Sequence, residues 1–175
     1  MSKFGKFIGL SGFERRLFLE AVCWCAVVRL TMLLMPFRRY TSLLGTPQDE
    51  NRSTKGLKNK TNQKFFRGSR GAVFQKSPPG RRRQLKQISA AIRRASRGVP
   101  WETRCFVEAI TAKRMLKRRD IPCTIYLGLK KNEIIEDGEN IEDITAHAWS
   151  ACGDFIITGG QGDKLKQYTV VSTFQ

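Results

Sequence analysis

The chain places its helical patterns before its strand patterns, and this order constrains the fold more than any other feature of the sequence. Apolar residues recur at helical spacing in three stretches, at residues 13–35, 81–98 and 101–119. Strand-like runs follow at residues 123–129, 146–152, 155–158 and 168–174. Helices that precede a set of antiparallel strands predict an α+β fold instead of alternating βαβ units.

The dipeptide Gly153-Asp154 separates two of these strand-like runs and predicts a tight hairpin. In an uninterrupted ladder on such a turn, Cys152 pairs with Phe155. Counting back along the same ladder brings His147 opposite Gly160.

Composition divides the chain into three parts. Residues 46–80 are dominated by Asn, Ser, Thr, Lys, Gly and Gln, and a stretch of this kind cannot bury enough apolar surface to offset its chain entropy. We predict a flexible basic linker there, between an N-terminal helical segment at 1–45 and a folded domain at 81–175. Within that domain, the acidic segment 132–143 is predicted to be a loop.

The N-terminal segment contains one strongly apolar helix. Ser11 is a suitable N-cap for a helix over residues 13–35. Its apolar run is interrupted by Glu20 and Arg29, and a spanning helix needs about 20 apolar residues with few charges. We therefore expect no stable membrane insertion. The helix is expected to pack against protein, with peripheral contact to an anionic membrane surface as the alternative.

The net charge of +17 lies almost entirely in the first hundred residues, which hold 22 Lys and Arg against 4 Asp and Glu. A field of this size attracts polyanions, so a nucleic-acid-binding protein is one alternative, with Phe65, Phe66 and Phe74 among the basic residues. The basic residues form no recognised binding motif, however, and residues 101–175 are near neutral. Nucleic acid is the less favoured partner.

The five cysteines have no paired spacing and accompany a single histidine. This pattern supports neither a disulfide framework nor a Cys/His zinc site, and neither a metal nor a cofactor is expected. Free thiols suit a reducing compartment, so the expected location is the cytoplasm. A cysteine nucleophile is chemically permitted there.

Cys105 and His147 are the residues best placed for chemistry. A cysteine about one turn into a helix is close to unpaired backbone N–H groups, which favour a thiolate. His147 is the first candidate for a general base near neutral pH, and Trp149, two residues along a strand, points to the same face and can cover the imidazole. A small buried Cys105 and a structural His147 are the alternatives.

Four short segments resemble those of the transglutaminase-like proteins that process lasso-peptide precursors. They are residues 100–105 (Pro-Trp-Glu-Thr-Arg-Cys), 116–122 (Leu-Lys-Arg-Arg-Asp-Ile-Pro), 126–128 (Tyr-Leu-Gly) and 146–149 (Ala-His-Ala-Trp). The resemblance covers nearly the whole chain except roughly residues 46–80. It implies a transglutaminase-like, papain-like cysteine peptidase core behind the N-terminal helix.

The resemblance also implies roles for individual residues. Cys105 is expected to be the nucleophile and His147 the base, in a reaction that removes the leader peptide through a thioester intermediate. Trp149 and Trp101 are the residues expected to shield the site. Transfer of the acyl group to an amine instead of water is the alternative, because related enzymes use the same chemistry.

One position departs from the pattern of the resemblance. Many relatives carry an Asp about twelve residues after the histidine, where this sequence has Gly159. Asp154 is too far along the hairpin to replace it. Thr158, Gln161 or a backbone carbonyl near Gly159 is expected to orient the imidazole, and a catalytically weak or inactive family member that acts as a scaffold is the alternative.

The partners follow from the same resemblance. The substrate is expected to be a precursor peptide, and the freed amino terminus is expected to pass to a separate asparagine-synthetase-like, ATP-using macrolactam cyclase. Residues 1–80 leave no room for the small leader-binding domain that some family members carry. We therefore expect a separate leader-binding protein, with the apolar helix or the basic linker as its docking surface.

Overall fold

A computed structural model describes residues 11–35, 47–48, 79–99, 105–136, 139–160 and 162–175. Within these ranges the elements are α1 (Gly12–Leu34), β1 (Pro47–Gln48), α2 (Pro79–Gly98), α3 (Cys105–Lys117), β2 (Thr124–Glu136), β3 (Glu139–Cys152), β4 (Phe155–Thr158), α4 (Gly162–Leu165) and β5 (Thr169–Phe174). The predicted α+β class is confirmed. Most of the predicted linker lies outside the described residues, and the division at residues 45 and 80 stays a prediction.

The strands form one antiparallel sheet in the order β1-β5-β2-β3-β4. Its longest ladder pairs β2 with β3, from Thr124 opposite Ala151 to Glu136 opposite Glu139. The predicted loop at 132–143 is therefore wrong, because both strands continue through it. Four isoleucines in and beside this segment favour strand, and Asp-Gly at 137–138 is a strong hairpin signal that outweighs the acidic composition.

The hairpin of β3 and β4 departs from the predicted ladder by one residue. Cys152 pairs with Phe155, as expected, but a bulge between Ser150 and Ala151 brings Ser150 opposite Thr158. A bulge adds a residue to one strand and shifts every later pair. The predicted register of His147 against Gly160 is therefore wrong.

Two adjoining apolar cores hold the helices on the sheet. The first lies mainly between the three long helices and contains Leu17, Ala21, Leu85, Ile88, Ile92, Ala112, Met115 and Leu116. The second lies between α1, α3 and the sheet and contains Cys25, Val28, Val107, Ile110, Ile125, Ala148 and Phe174. Because α1 contributes to both cores, the N-terminal helix packs into the same body as the predicted catalytic domain.

The helix α1 begins with the predicted cap and presents two unlike faces. The Ser11 hydroxyl accepts from the Glu14 amide and the Glu14 carboxylate accepts from the Ser11 amide, which is a capping box. Opposite the buried face, five large side chains are between 51% and 73% exposed: Leu19, Val27, Leu30, Leu33 and Leu34. We call these five the apolar stripe.

Within the described ranges, α1 is the one helix whose length and composition would allow it to cross a membrane. Its inner face is nevertheless occupied by protein, because Leu17, Ala21, Cys25 and Val28 are buried in the two cores. The packing expected of this helix is thus present on one side only. The apolar stripe forms the other side.

Candidate active site

Cys105 is the first residue of α3, and its side chain is partly exposed. Burial by itself raises the pKa of the Cys105 thiol. A hydrogen bond with His147, bonds to the backbone of Ala148 and Phe106 and the charge of His147 act in the opposite direction, and together they hold this pKa below its ordinary value of 9.0. A backbone bond that lowers a thiol pKa is one in which the amide donates, since only the thiolate gains from it. The site therefore favours the reactive form of the cysteine.

Three other cysteines have the opposite environment. Burial raises the pKa of Cys25 and Cys152, and it raises the pKa of Cys123 to about 12. Cys23 is exposed on α1. Cys105 thus differs from the three buried thiols because it has partners that lower its pKa.

His147 lies on β3, and the Gly159 carbonyl and the Cys105 thiol are the partners of its ring. Nε2 is 2.8 Å from the carbonyl oxygen of Gly159. A carbonyl can only accept, so Nε2 carries the hydrogen and the lone pair of the neutral ring is on Nδ1. Nδ1 is therefore the nitrogen left for the bond to Cys105.

The electrostatics of His147 complement those of Cys105. The hydrogen bond with Cys105 raises the pKa of His147, burial opposes the rise, and the Gly159 carbonyl and the charges of Cys105 and Glu108 add to it. The net direction is upward from the ordinary value of 6.5. A raised imidazole pKa and a lowered thiol pKa both stabilise the thiolate–imidazolium pair used in nucleophilic catalysis by cysteine.

The backbone at Gly159 leaves no space for a side chain. Its φ is +94°, and a Cβ there would lie 2.3 Å from Cβ of Trp149. The carboxylate that the resemblance leads one to expect at this position has no room in this backbone. Instead, the Gly159 carbonyl oxygen accepts the hydrogen bond from the imidazole. A backbone carbonyl near Gly159 was one of the three acceptors that the sequence left open.

The other residues expected to orient His147 do not do so within the described structure. The hydroxyl of Thr158 lies 2.8 Å from Oγ of Ser150, in a buried pair, while the imidazole bonds Gly159. Thr158 is therefore not the acceptor that orients the imidazole, and Gly159 takes this place. Gln161 lies outside the described residues, and Asp154 is exposed in the hairpin turn.

Two buried hydroxyl bonds fix the end of β4 just before Gly159. Ser89 of α2 donates to the carbonyl of Ile157 at 2.6 Å, and Ser150 of β3 bonds Thr158. The segment that presents the Gly159 carbonyl is therefore tied to a helix on one side and to a strand on the other.

An aromatic cluster covers the imidazole. Trp149 is only 1% exposed, and its indole ring stacks on the His147 imidazole with ring centroids 6.1 Å apart. Tyr168 lies closer, at 5.1 Å from His147, and Tyr126 stacks on Trp149 with ring centroids 5.7 Å apart. Trp101, the other residue expected to shield the site, lies outside the described residues.

Sequence reasoning missed Tyr168 and Gly128. Gly128 is paired with His147 across β2 and β3, and a Cβ there would lie 2.8 Å from Cζ3 of Trp149 and 2.9 Å from Cβ of Tyr168. Gly128, two residues after Tyr126 on β2, thus makes space for the aromatic cluster. The available signal was the spacing of Tyr126 and Gly128 by two residues on one strand, which puts both on one face. Only the register of β2 against β3 shows that this face is the one that carries His147 and Trp149.

In the described part of the chain, His, Cys, Asp and Glu form no group of three or more that could hold a metal ion. The site consists of a helix-start thiol, a strand-borne imidazole and a main-chain acceptor, on an antiparallel sheet that packs against α1 and α3. These features define a nucleophilic Cys-His site of the kind found in papain-like and transglutaminase-like folds.

The comparison with protein families agrees. The model of the transglutaminase-like superfamily matches residues 57–173, about two thirds of the chain, and the chain belongs to this superfamily, which includes cysteine peptidases. The match begins inside the predicted linker and leaves α1 outside. No curated protein and no solved structure matches the chain significantly.

Proposed function

We propose that this protein is a cysteine peptidase that removes the leader peptide from a lasso-peptide precursor. The observation that carries the peptidase proposal is the pair of bonds on His147, with Nε2–H on the Gly159 carbonyl and Nδ1 left for a thiol of lowered pKa. The choice of substrate rests on the resemblance of the segments that contain Cys105 and His147.

The proposed reaction begins with attack of the Cys105 thiolate on the carbonyl carbon of the last leader residue. The tetrahedral intermediate collapses as the C–N bond breaks, and the His147 imidazolium gives its Nδ1 proton to the leaving amine. The leader remains as a thioester on Cys105. Water then attacks this thioester, His147 takes its proton, and the leader leaves with a free carboxylate.

The experiment is mass spectrometry of a lasso-peptide precursor incubated with the protein and a leader-binding protein. We expect cleavage at the leader boundary by the wild type and its loss in Cys105→Ala and in His147→Ala. Cys23→Ala is the matched control. Cys23 is an exposed thiol on the same face of α1 as Leu19 and Val27, and because Ala keeps this face apolar, the variant should leave cleavage unchanged. Cleavage that survives Cys105→Ala contradicts the mechanism, and a product joined to an added amine instead of water would show acyl transfer.

We further propose that the leader-binding protein docks on the apolar stripe of α1. Five exposed large side chains on one helix face form a surface of the kind that binds an apolar partner. The amino terminus freed by cleavage would then be the substrate of the ATP-using cyclase.

Binding of the leader-binding protein, measured by calorimetry, tests the docking proposal. Leu30→Glu should abolish binding, since it places a charge in the centre of the apolar stripe. Val171→Glu is the matched control, because Val171 is equally exposed, at 56% against 55%, but lies on β5. Equal binding by both variants would exclude the stripe as the docking surface.

A further inference from the structure

A cavity of about 280 Å³ opens beside the end of β4. Its apolar walls come from Ile92 of α2 and Ile156 and Ile157 of β4. Around these walls lie charged side chains from α2, α3 and α4. The cavity is thus bounded by elements that also build the candidate active site.

The cavity adjoins the Cys105–His147 pair. Gly159 lines it, and the carbonyl of the same residue holds Nε2 of His147. Glu108 also lines it, three residues after Cys105 on α3, and its charge acts on the imidazole. A peptide bound across the thiol can therefore place one of its side chains in this cavity.

The lining of the cavity is strongly cationic. Arg93, Arg97 and Lys164 line it, against the single carboxylate of Glu108. Among the described residues, the salt bridges of arginine involve Arg94, Arg118 and Arg119, so the three cations of the cavity are not neutralised by any of these pairs. A helix C-terminus accounts for basic residues near Gly98 but not for their convergence with Lys164 on one cavity.

We propose that this cavity is a specificity pocket for an acidic side chain of the peptide substrate. The inference rests on the proposed peptidase function and adds the chemical class of the residue that is recognised. Arginine forks bind carboxylates with two parallel hydrogen bonds, and the isoleucine walls suit the methylene groups of Glu or Asp. In this pocket the carboxylate contacts the cations, and the methylene groups contact the isoleucine walls.

The test is a set of lasso-peptide precursors with one position varied at a time among Glu, Gln and Lys, over three residues on each side of the cut, each incubated with the protein and the leader-binding protein. At one position, wild-type protein should cleave the Glu peptide with kcat/KM about tenfold higher than the Gln peptide, as expected for a hydrogen bond to a charged group. Arg97→Glu should remove this preference and favour Lys at the same position. Thermal unfolding of each variant checks that it folds.

Arg82→Glu is the matched control, since Arg82 is an exposed arginine of the same helix that does not line the cavity. It makes the same change in net charge, so an equal loss of preference in Arg82→Glu would assign the effect to the overall field and overturn the pocket. Cleavage that depends on Cys105 but shows no preference for Glu at any position also overturns the pocket and leaves the peptidase standing. No cleavage that depends on Cys105 would instead contradict the proposed function.

Discussion

His147 makes two bonds, and the one to Gly159 decides which nitrogen faces the nucleophile. The main-chain acceptor fixes Nε2 as a donor, and the neutral ring then has its lone pair toward Cys105. The sequence predicted both candidate side chains, because a helix-start cysteine and a lone strand histidine are visible as patterns. It left three acceptors open, since a one-residue bulge in β4, where Ile157 is left out of the pairs with β3, decides which group of this segment reaches the ring.

The reactivity of Cys105 should depend on pH in a way that follows from the two pKa shifts. The thiolate is lost as pH falls through the lowered pKa of Cys105, and the imidazolium is lost as pH rises through the raised pKa of His147. Alkylation of Cys105 by iodoacetamide, followed by mass spectrometry, should have its midpoint below 9.0 in the wild type. His147→Ala should move this midpoint upward, because it removes the partner that most lowers the pKa of Cys105 and leaves the effect of burial, which raises it.

Cys23 serves as the internal reference in that experiment, since its alkylation should not respond to His147→Ala. A midpoint of Cys105 that stays in place in His147→Ala would contradict the bond between the two side chains.

Gly159 and Gly160 provide a matched pair of substitutions. Both have positive φ, +94° and +105°, but a Cβ on Gly160 meets nothing within 4 Å, whereas one on Gly159 meets Trp149. Gly160→Ala should cost about 1 kcal/mol of unfolding free energy, the usual cost of a strained backbone. Gly159→Ala should cost more than this and also abolish peptide cleavage, because the carbonyl that holds His147 must move.

Urea unfolding and cleavage rates of the two variants measure these effects. Equal stability and activity of Gly159→Ala and Gly160→Ala would show that the contact with Trp149 does not position the acceptor.

At the scale of elements, the end of β4 is placed by its neighbours. Ser89 of α2 reaches the Ile157 carbonyl, two residues before Gly159. Ser89→Ala leaves this buried carbonyl without the hydroxyl, which should cost about 1 to 3 kcal/mol of stability. It should also lower kcat more than it changes KM, because the acceptor of His147 loses one of its supports.

Ser96→Ala is the control, since the Ser96 hydroxyl bonds the Arg93 carbonyl of its own helix and not a carbonyl of β4. NMR titration of the His147 ring separates positioning from stability. An unchanged His147 titration and an unchanged kcat in Ser89→Ala would reduce the serine to a structural role.

The elements themselves were only partly predictable. Ser11 and Pro36 bracket α1, and glycine with proline ends α2, because caps and breakers are local signals. The continuation of β2 and β3 through 132–143 was not predicted, since each strand exists through its pairing with the other. The bulge at Ser150 and Ala151 has no local signal in the sequence and sets the register next to the site.

At the scale of the molecule, α1 is part of the same folded body as the candidate active site, although the family match does not include it. Arg119, which follows α3, binds the Glu20 carboxylate of α1 through both of its terminal nitrogens, at 2.6 and 3.1 Å. Arg118 approaches the same carboxylate at 3.6 Å but is 64% exposed. One pair is therefore bidentate and largely enclosed, and the other is a surface contact.

Arg119→Ala should lower the unfolding free energy of the whole molecule by about 2 kcal/mol, because it leaves a largely buried carboxylate without its main partner. Arg118→Ala should change it by less than about 1 kcal/mol, as is usual for an exposed pair. Urea denaturation followed by tryptophan fluorescence compares them. Equal effects would show that the bidentate bond does not fasten α1 to α3.

The main-chain acceptor of His147 changes which mutations the site tolerates. A side-chain carboxylate disappears with a single codon change, whereas a carbonyl is present whatever residue occupies the position. Evolution of this site is thus constrained by the volume available at residue 159 and not by the chemistry of its side chain. The group that aligns the imidazole also has no proton to gain or lose, so acidification can act on this site through the thiol but not through the Gly159 carbonyl.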